Sequence, residues 1–333
     1  MSRVLVIQTA WLGDAVLTTP LVAAVAARHD AVDVLSTPDA APLFATLPEV
    51  VSVLAYDKHG AQRGIRHALR IASTLRARRY AAAYLPHRSV RSAAVAWLAG
   101  IPRRIGFANA PALARALYTE RVPLPDGHES ARLAALAGGA PTDLRVVLTP
   151  ADRAAAERVL EAEGVHAPFI ALAPGSARPT KRWPHYAGLA ERLAAEGRSV
   201  VVLGAPEDAG RVPAGPRIAN LAGRLPIRTS AAVVARAAVA VANDSAVMHI
   251  AQAVGTPVVA IFGPTAPSLG FAPRGLRDRV VEHAGLACRP CSTHGGARCP
   301  LGHHRCLRDL PVARVLAAVR ETLSIGEEAV VCE

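Results

Sequence analysis

Two doubly wound α/β domains are what the sequence predicts, and three observations predict them. Residues 238–265, AVAVANDSAVMHIAQAVGTPVVAIFGPT, run as apolar strand, polar turn, helix and apolar strand, one βαβ step of a parallel sheet. The same alternation starts afresh in each half, at Arg3 and at Phe169. The chain has 333 residues, 51% of them apolar but only 4% aromatic, enough for two cores in which alanine and valine let helices pack closely on parallel sheets.

Residues 3–8 read as a buried first strand rather than a signal peptide, because Asp14 follows quickly and no small-residue cleavage site is convincing. The turn Thr9-Ala10-Trp11-Leu12-Gly13-Asp14 then opens a helix expected over residues 15–28. The turn is not G-x-G-x-x-G, which argues against a dinucleotide-dependent dehydrogenase. Asp14 is either an N-cap or a carboxylate displayed at the mouth of the sheet. Strands are expected at 31–35, 50–55, 81–85 and 103–106, with helices at 64–78 and 89–98. Arg63, Arg66, His67 and Arg70 fit one helix and the turn before it, as a solvated face or an anion site. His87, Arg88 and Arg91 follow a strand's carboxyl end, where open α/β sheets collect ligands. Pro111, Pro123, Pro125 and Pro141 loosen the pattern around a helix near 128–137, and a linker near 147–150 divides the chain into domains 1–150 and 151–333.

The second half repeats the plan. A helix over 151–163 leads to a strand at 169–173, which opens into Pro174-Gly175-Ser176 and then Lys181-Arg182-Trp183-Pro184 before a helix at 185–196. Backbone amides, a hydroxyl and two cations ahead of a helix form a credible diphosphate cradle, against the plainer reading of a basic surface loop. Glu207 and Asp208 follow the strand at 199–203 and either bind a ribose diol or cap the next helix. Asn243-Asp244-Ser245 opens a helix whose first N–H groups point past the sheet, so Asp244 and Ser245 either cap it or meet a phosphate-bearing sugar.

The formal charge of +12 points to an anionic partner. Basic residues scatter over both halves without interleaved aromatics, which argues against a nucleic-acid surface. No apolar run reaches the length a membrane span needs, so a cytoplasmic location is expected.

Three stretches resemble the bacterial lipopolysaccharide heptosyltransferases, nearest the heptosyltransferase II type: Trp11-Leu12-Gly13-Asp14, Lys181-Arg182-Trp183-Pro184, and Asn220-Leu221-Ala222-Gly223 with NDSAVMHIAQAVGTPVVAIFGPT. The resemblance implies a GT-B fold, two Rossmann-like domains facing across a cleft, the first holding a sugar acceptor and the second an ADP-heptose donor. It implies Asp14 as general base and Lys181 on the donor phosphates. It also implies donor contacts at Ser176, Arg182, Asp208, the backbone near Leu225, Asp244, Ser245, Ala246 and His249, and acceptor contacts at Arg63, Arg66, Arg88 and Arg91. The acceptor implied is the lipopolysaccharide inner core, Kdo or heptose on lipid A, with peripheral contact at the inner membrane and no catalytic cofactor. This chain has Ala246 where the family usually has Gly, so that diphosphate contact is open to alteration.

The tail of the chain holds Cys288, Cys291, Cys299 and Cys306 with His294, His303 and His304 nearby, and a similar tail occurs in many members of that family. The readings are a structural zinc site, reduced cysteines used for packing or capping, and redox or iron–sulfur chemistry. Cys332 reads as incidental. Rival functions are a transferase using another nucleotide sugar, a nucleotide-sugar epimerase, and a zinc-containing nucleic-acid binder.

Overall fold

A computed structural model of the chain describes residues 2–58, 60–140 and 142–331, with side chains through residue 325; Pro141 and Cys332 lie outside the described residues. The chain divides into two compact units, Met1–Val147 and Leu148–Glu333. In the first, β1 (Arg3–Gln8), β2 (Ala31–Ser36), β3 (Val50–Ala55), β4 (Ala82–Leu85), β5 (Arg103–Phe107) and β6 (Glu120–Val122) form one sheet ordered β3-β2-β1-β4-β5-β6. In the second, β7 (Phe169–Ala173), β8 (Ser199–Val202), β9 (Ile218–Asn220), β10 (Val239–Asn243), β11 (Val258–Phe262) and β12 (Arg279–Glu282) are ordered β12-β11-β10-β7-β8-β9. Every named strand pair is parallel. The two orders are the same doubly wound topology, which reverses between β1 and β4 and again between β7 and β10.

The central strands are apolar runs because both their faces are covered. Every residue of β7, β10 and β11 is buried. One face of the second sheet packs Phe169, Val201, Ala242 and Phe262 with Met248 of helix Ala246–Ala253, and the other packs Leu172, Val241 and Ile261 under Tyr186 and Leu307. Among the described residues no helix is long and apolar enough to cross a membrane.

Three strands depart from the sequence reading. β6, β9 and β12 are sheet edges of three or four residues, ERV, IAN and RVVE, too short and too polar to show a buried-strand pattern. The helix expected over 15–28 begins at Leu12 and breaks at Thr18, giving helices Leu12–Leu17 and Thr19–Ala26. The Thr18 hydroxyl receives a bond from Gln8 Nε2 at 2.7 Å and donates to the Asp14 carbonyl at 2.7 Å, and Pro20 brings no N–H to continue the first helix. A final helix, Val312–Val331, was not anticipated.

Asp33, fully buried in β2, is the electrostatic pin of the first sheet. It accepts from Arg3 at 3.0 Å, Arg78 at 2.8 Å and the Tyr80 hydroxyl at 2.6 Å. Burial alone would raise its pKa, but the bonds from Arg3, Tyr80 and Arg78 outweigh it and hold the carboxyl below the ordinary range. Its stabilisation is therefore complete above the unfolded-state value and is lost as pH falls through the depressed folded value. Asp33→Asn is expected to cost about 1.5–3 kcal/mol at pH 7. Urea unfolding of both proteins from pH 7 down to pH 3 checks this: the gap between them closes toward the acid end.

Candidate active site

In the first unit, the chain leaves β1 at its carboxyl end, beside the point where the strand order reverses. Gln8 is buried and fixes the turn that follows, its Oε1 accepting from the Ala10 N–H at 3.1 Å while its Nε2 holds Thr18. Asp14 is the third residue of helix Leu12–Leu17, half-buried, and its Oδ2 accepts from the Trp11 N–H at 3.1 Å. Capping and display are therefore not alternatives: one carboxylate oxygen closes the helix start while the group stays partly open at the sheet's rim. Arg88 follows β4 across the same reversal point and is half-buried. Arg91 is the second residue of helix Val90–Leu98 and donates from Nη1 to the Lys58 carbonyl at 2.7 Å. Arg63 and Arg66 are exposed at the start of helix Ile65–Ala77.

In the second unit, the corresponding reversal point lies between β7 and β10, and more is assembled there. Lys181 Nζ meets Asp244 Oδ2 at 2.9 Å, with both side chains largely buried at 14% and 7% exposed. Thr265, beyond β11, donates to the same Oδ2 at 2.8 Å, so Oδ1 of Asp244 keeps no protein donor among the described residues. Asn243, the last residue of β10, binds the two loops into one body. Its amide nitrogen donates to the carbonyls of Pro174 at 3.0 Å and Gly175 at 3.1 Å, and its oxygen accepts from the Trp183 N–H at 3.1 Å. Arg182 Nε donates to the Ser176 carbonyl at 2.8 Å, drawing the basic loop over the Gly-Ser turn.

Ser245 precedes helix Ala246–Ala253 in extended conformation, and its hydroxyl is buried with no hydrogen-bond partner among the described residues. Such an orphan costs roughly 1–3 kcal/mol, and it sits beside helix N–H groups suited to an anion. Ala246 begins that helix in backbone any L-residue adopts, so the departure from Gly introduces no strain. His249 lies one turn on, 4% exposed. Leu225 packs on the core face beneath.

Asp208 sits differently from the ribose reading. It is buried, its Oδ2 accepts from the Ala205 N–H at 3.1 Å and its Oδ1 pairs with Arg211 at 2.8 Å. A Cβ on Gly175 would lie 2.0 Å from that carboxylate, so glycine there is required by close approach. Capping is the role the geometry gives Asp208, while Glu207 on the same turn is exposed.

The cysteine tail braces the basic loop. Thr180 Oγ1 bonds both the carbonyl and the N–H of Gly296, at 2.9 and 2.8 Å, and His304 Nε2 donates to the Thr180 carbonyl at 2.7 Å. Arg289 gathers the carbonyls of Gly263, Thr265 and His283 and pairs with Glu282 at 2.9 Å, tying the tail to the turn that carries Thr265. Cys288, Cys291, Cys299 and Cys306 are all free thiols. Cys306 is a core residue beside Leu307 and Leu310, and burial holds its pKa up to about 11. Among the described residues no three His, Cys, Asp or Glu side chains are arranged to hold a metal ion, so the zinc reading finds no ligand set, while the packing reading fits Cys306.

Residues 68–298 match the family model for glycosyltransferase family 9 (heptosyltransferase). The chain belongs to that family. Lipopolysaccharide heptosyltransferase 2 of Escherichia coli K12 is 30% identical over 98% of this chain and 100% of its own length. Lipooligosaccharide heptosyltransferase 2 of Haemophilus influenzae is 28% identical over 97% and 99%. Among solved structures, E. coli ADP-heptose LPS heptosyltransferase II superposes with a TM-score of 0.79 at 25% identity, covering 98% of this chain and 99% of that one. An E. coli heptosyltransferase solved with ADP-2-deoxy-2-fluoro heptose gives 0.69 at 21% identity, with 96% and 99% covered. This family 9 glycosyltransferase therefore has the GT-B class of fold, built from two Rossmann-like domains. Sequence reading missed Gln8, Asn243, Thr265 and Arg289 as contributors to the two rims; only Asn243 carried a signal, as a polar residue ending a wholly apolar strand.

Proposed function

We propose that this enzyme transfers heptose from ADP-heptose to the inner core of lipopolysaccharide, onto Kdo or heptose on lipid A. The first domain takes the acceptor and the second the donor. The observation that carries the donor half is the Lys181–Asp244–Thr265 cluster at the β7/β10 reversal point, beside the unpartnered Ser245 hydroxyl. Relatives named for this activity span the whole chain, and one solved relative was determined with an ADP-heptose analogue.

The reaction is a single displacement with inversion. Asp14 accepts the proton of the attacking acceptor hydroxyl as its oxygen bonds the anomeric carbon, and the carbon–oxygen bond to the diphosphate breaks with its electron pair leaving on ADP. Lys181, Arg182 and the amide end of helix Ala246–Ala253 meet the charge that grows on the leaving group, in place of the acidic DxD metal motif that the sequence lacks. Oδ1 of Asp244 accepts from heptose hydroxyls, and Ser176 lies near the phosphates. Arg63, Arg66, Arg88 and Arg91 supply positive charge on the acceptor side. The enzyme works in the cytoplasm against the inner face of the membrane that carries its acceptor.

A panel of nucleotide sugars tested by thermal shift checks the donor. ADP-heptose at a hundred times its Kd adds about 2.7 kcal/mol to stability and raises the midpoint by several degrees. Stabilisation by UDP-sugars alone overturns the donor assignment, and release of a rearranged sugar without acceptor favours the epimerase reading.

A further inference from the structure

Basic residues occur in both halves of the chain, but the excess does not. Residues 58–119 hold twelve of the 38 Lys and Arg and none of the 26 Asp and Glu, so the rest of the chain balances at 26 of each and the whole formal charge of +12 belongs to this stretch. Arg63, Arg66, Arg88 and Arg91 are given to the acceptor above, and Lys58 is held against Arg91. Arg78 and Arg103 are paired with Asp33 and Glu120. Arg70, Arg76, Arg79, Arg104 and Arg115 remain, and none of the five has a carboxylate partner among the described residues.

The stretch folds into a helix layer on one face of the first sheet. Helices Ile65–Ala77, Val90–Leu98 and Ala112–Leu117 pack side by side and bury Ala72, Ala93 and Ala114 in one core with Leu5, Ile7 and Leu85 of the strands. Their outward sides are not simply polar. Leu69, Trp97 and Leu113, one on each helix, are at least half exposed, with the exposed Arg70 and Arg115 close by in the chain. Arg76 Nη2 donates to the Leu98 carbonyl at 2.5 Å, so Leu69, two turns earlier on the same side of its helix, is turned toward the helix that carries Trp97. Past that bond a cavity of about 450 Å³ opens between the ends of the same two helices, lined by Arg76, Arg79, Tyr80 and residues 99–102. Large apolar side chains set among unpaired cations, in a stretch without one acid, mark a face for a partner.

We infer that the outer face of these three helices is the surface by which the enzyme docks on an anionic phospholipid bilayer, Leu69, Trp97 and Leu113 entering the headgroup layer and the arginines meeting lipid phosphates. It rests on the reading above for a membrane-borne acceptor and names the face that meets the membrane. A bilayer interface is the occupant that matches both properties: tryptophan and leucine settle at headgroup level, and each arginine near the surface adds attraction. A second copy of this chain would bring the same cations face to face, and a nucleic-acid duplex gives exposed leucines nothing to enter. The cavity offers a headgroup phosphate two guanidinium groups and an apolar wall.

The test uses the full chain with vesicles of phosphatidylglycerol and phosphatidylethanolamine in equal parts, and with vesicles of phosphatidylcholine alone. Cosedimentation with the first is expected to exceed that with the second about tenfold or more. It falls as salt rises to about 0.5 M, where charges are screened within a few ångströms. Binding carries Trp97 into an apolar layer, so a blue shift of tryptophan emission appears on anionic vesicles and disappears in Trp97→Phe. Arg79→Gln lowers the partition about fivefold, and Leu69→Ser with Trp97→Ser lowers it about tenfold. All three positions are exposed, so the Tm stays within about 2 °C of the parent. Transfer from ADP-heptose to acceptor carried in the anionic vesicles falls by the same factors, while kcat/KM for a fully deacylated, water-soluble acceptor stays within about twofold.

Equal binding to the two kinds of vesicle, a blue shift that survives Trp97→Phe, variants that bind as the parent does, or an equal fall on both acceptors overturns the inference. Duplex DNA held more tightly than the anionic vesicles, with the apolar variants unaffected, makes the face a nucleic-acid surface and overturns it as well. A parent that transfers normally and binds no vesicles sinks the docking face alone. A parent that binds anionic vesicles as described yet transfers nothing from ADP-heptose overturns the transferase reading, and with it only the acceptor arm of the test.

Discussion

Asp14→Asn is expected to lower kcat by about 10²- to 10⁴-fold while leaving ADP-heptose binding within a factor of two. The size follows from removing a proton acceptor from a step that must release the acceptor hydroxyl's proton. The selectivity follows from the helix. Asp14 Oδ2 accepts the Trp11 N–H at 3.1 Å, and an asparagine carbonyl can take that bond unchanged, so the turn and the fold survive. Asp14→Ala loses both functions and adds a cap penalty of about 1 kcal/mol, which makes Asn the cleaner variant. Steady-state kinetics beside calorimetric titration of ADP-heptose reads the result. Near-normal turnover in the Asn variant removes Asp14 from the chemistry.

Lys181→Met should damage stability and rate together, and the two losses are separable. The substitution leaves the Asp244 carboxylate 7% exposed with Thr265 as its remaining donor, and stripping one partner from a buried pair costs about 3–5 kcal/mol. In a domain this size that is on the order of 10 °C in Tm. It also removes a cation from the departing diphosphate, expected to cost about 10²- to 10³-fold in kcat. Pairing Lys181→Met with Asp244→Asn removes the stranded charge, so the double variant regains most of the Tm but none of the turnover. A double variant that recovers both would show that Lys181 serves only to neutralise Asp244.

The tail bears on the same cluster from outside. Thr180 is bonded to Gly296 and His304, and Thr265 is held in a turn whose carbonyls converge on Arg289. The motif Cys288-Arg289-Pro290-Cys291 therefore matters through its arginine more than through its thiols: the guanidinium sets where Thr265 stands, and Thr265 orients Asp244.

Local pattern made much of this legible in advance. β7, β10 and β11 are unbroken apolar runs ending in Pro-Gly-Ser, Asn-Asp-Ser and Gly-Pro-Thr, and such runs with such endings are decided within a few residues. The same short-range logic put Asp14, Ser176, Asp244 and Ser245 at carboxyl ends of strands. The helix break at Thr18 was hidden because it depends on Gln8, ten residues away, closing on a buried hydroxyl. The edge strands β6, β9 and β12 were hidden because an edge has a neighbour on one side only, and a polar three-residue segment pairs there without any pattern of its own.

What the sequence by itself determined is the chemistry available at each rim, since strand, turn and helix starts are written in residues close together along the chain. The order of the strands decided the rest. It brought Lys181 to Asp244 across 63 residues, gave Asp208 to Arg211 and a cap rather than leaving it open, sank Cys306 into the core, and buried Lys58 within reach of the Asp14 charge. Pairing, burial and the absence of a partner are properties of distant segments meeting, and no local window contains them.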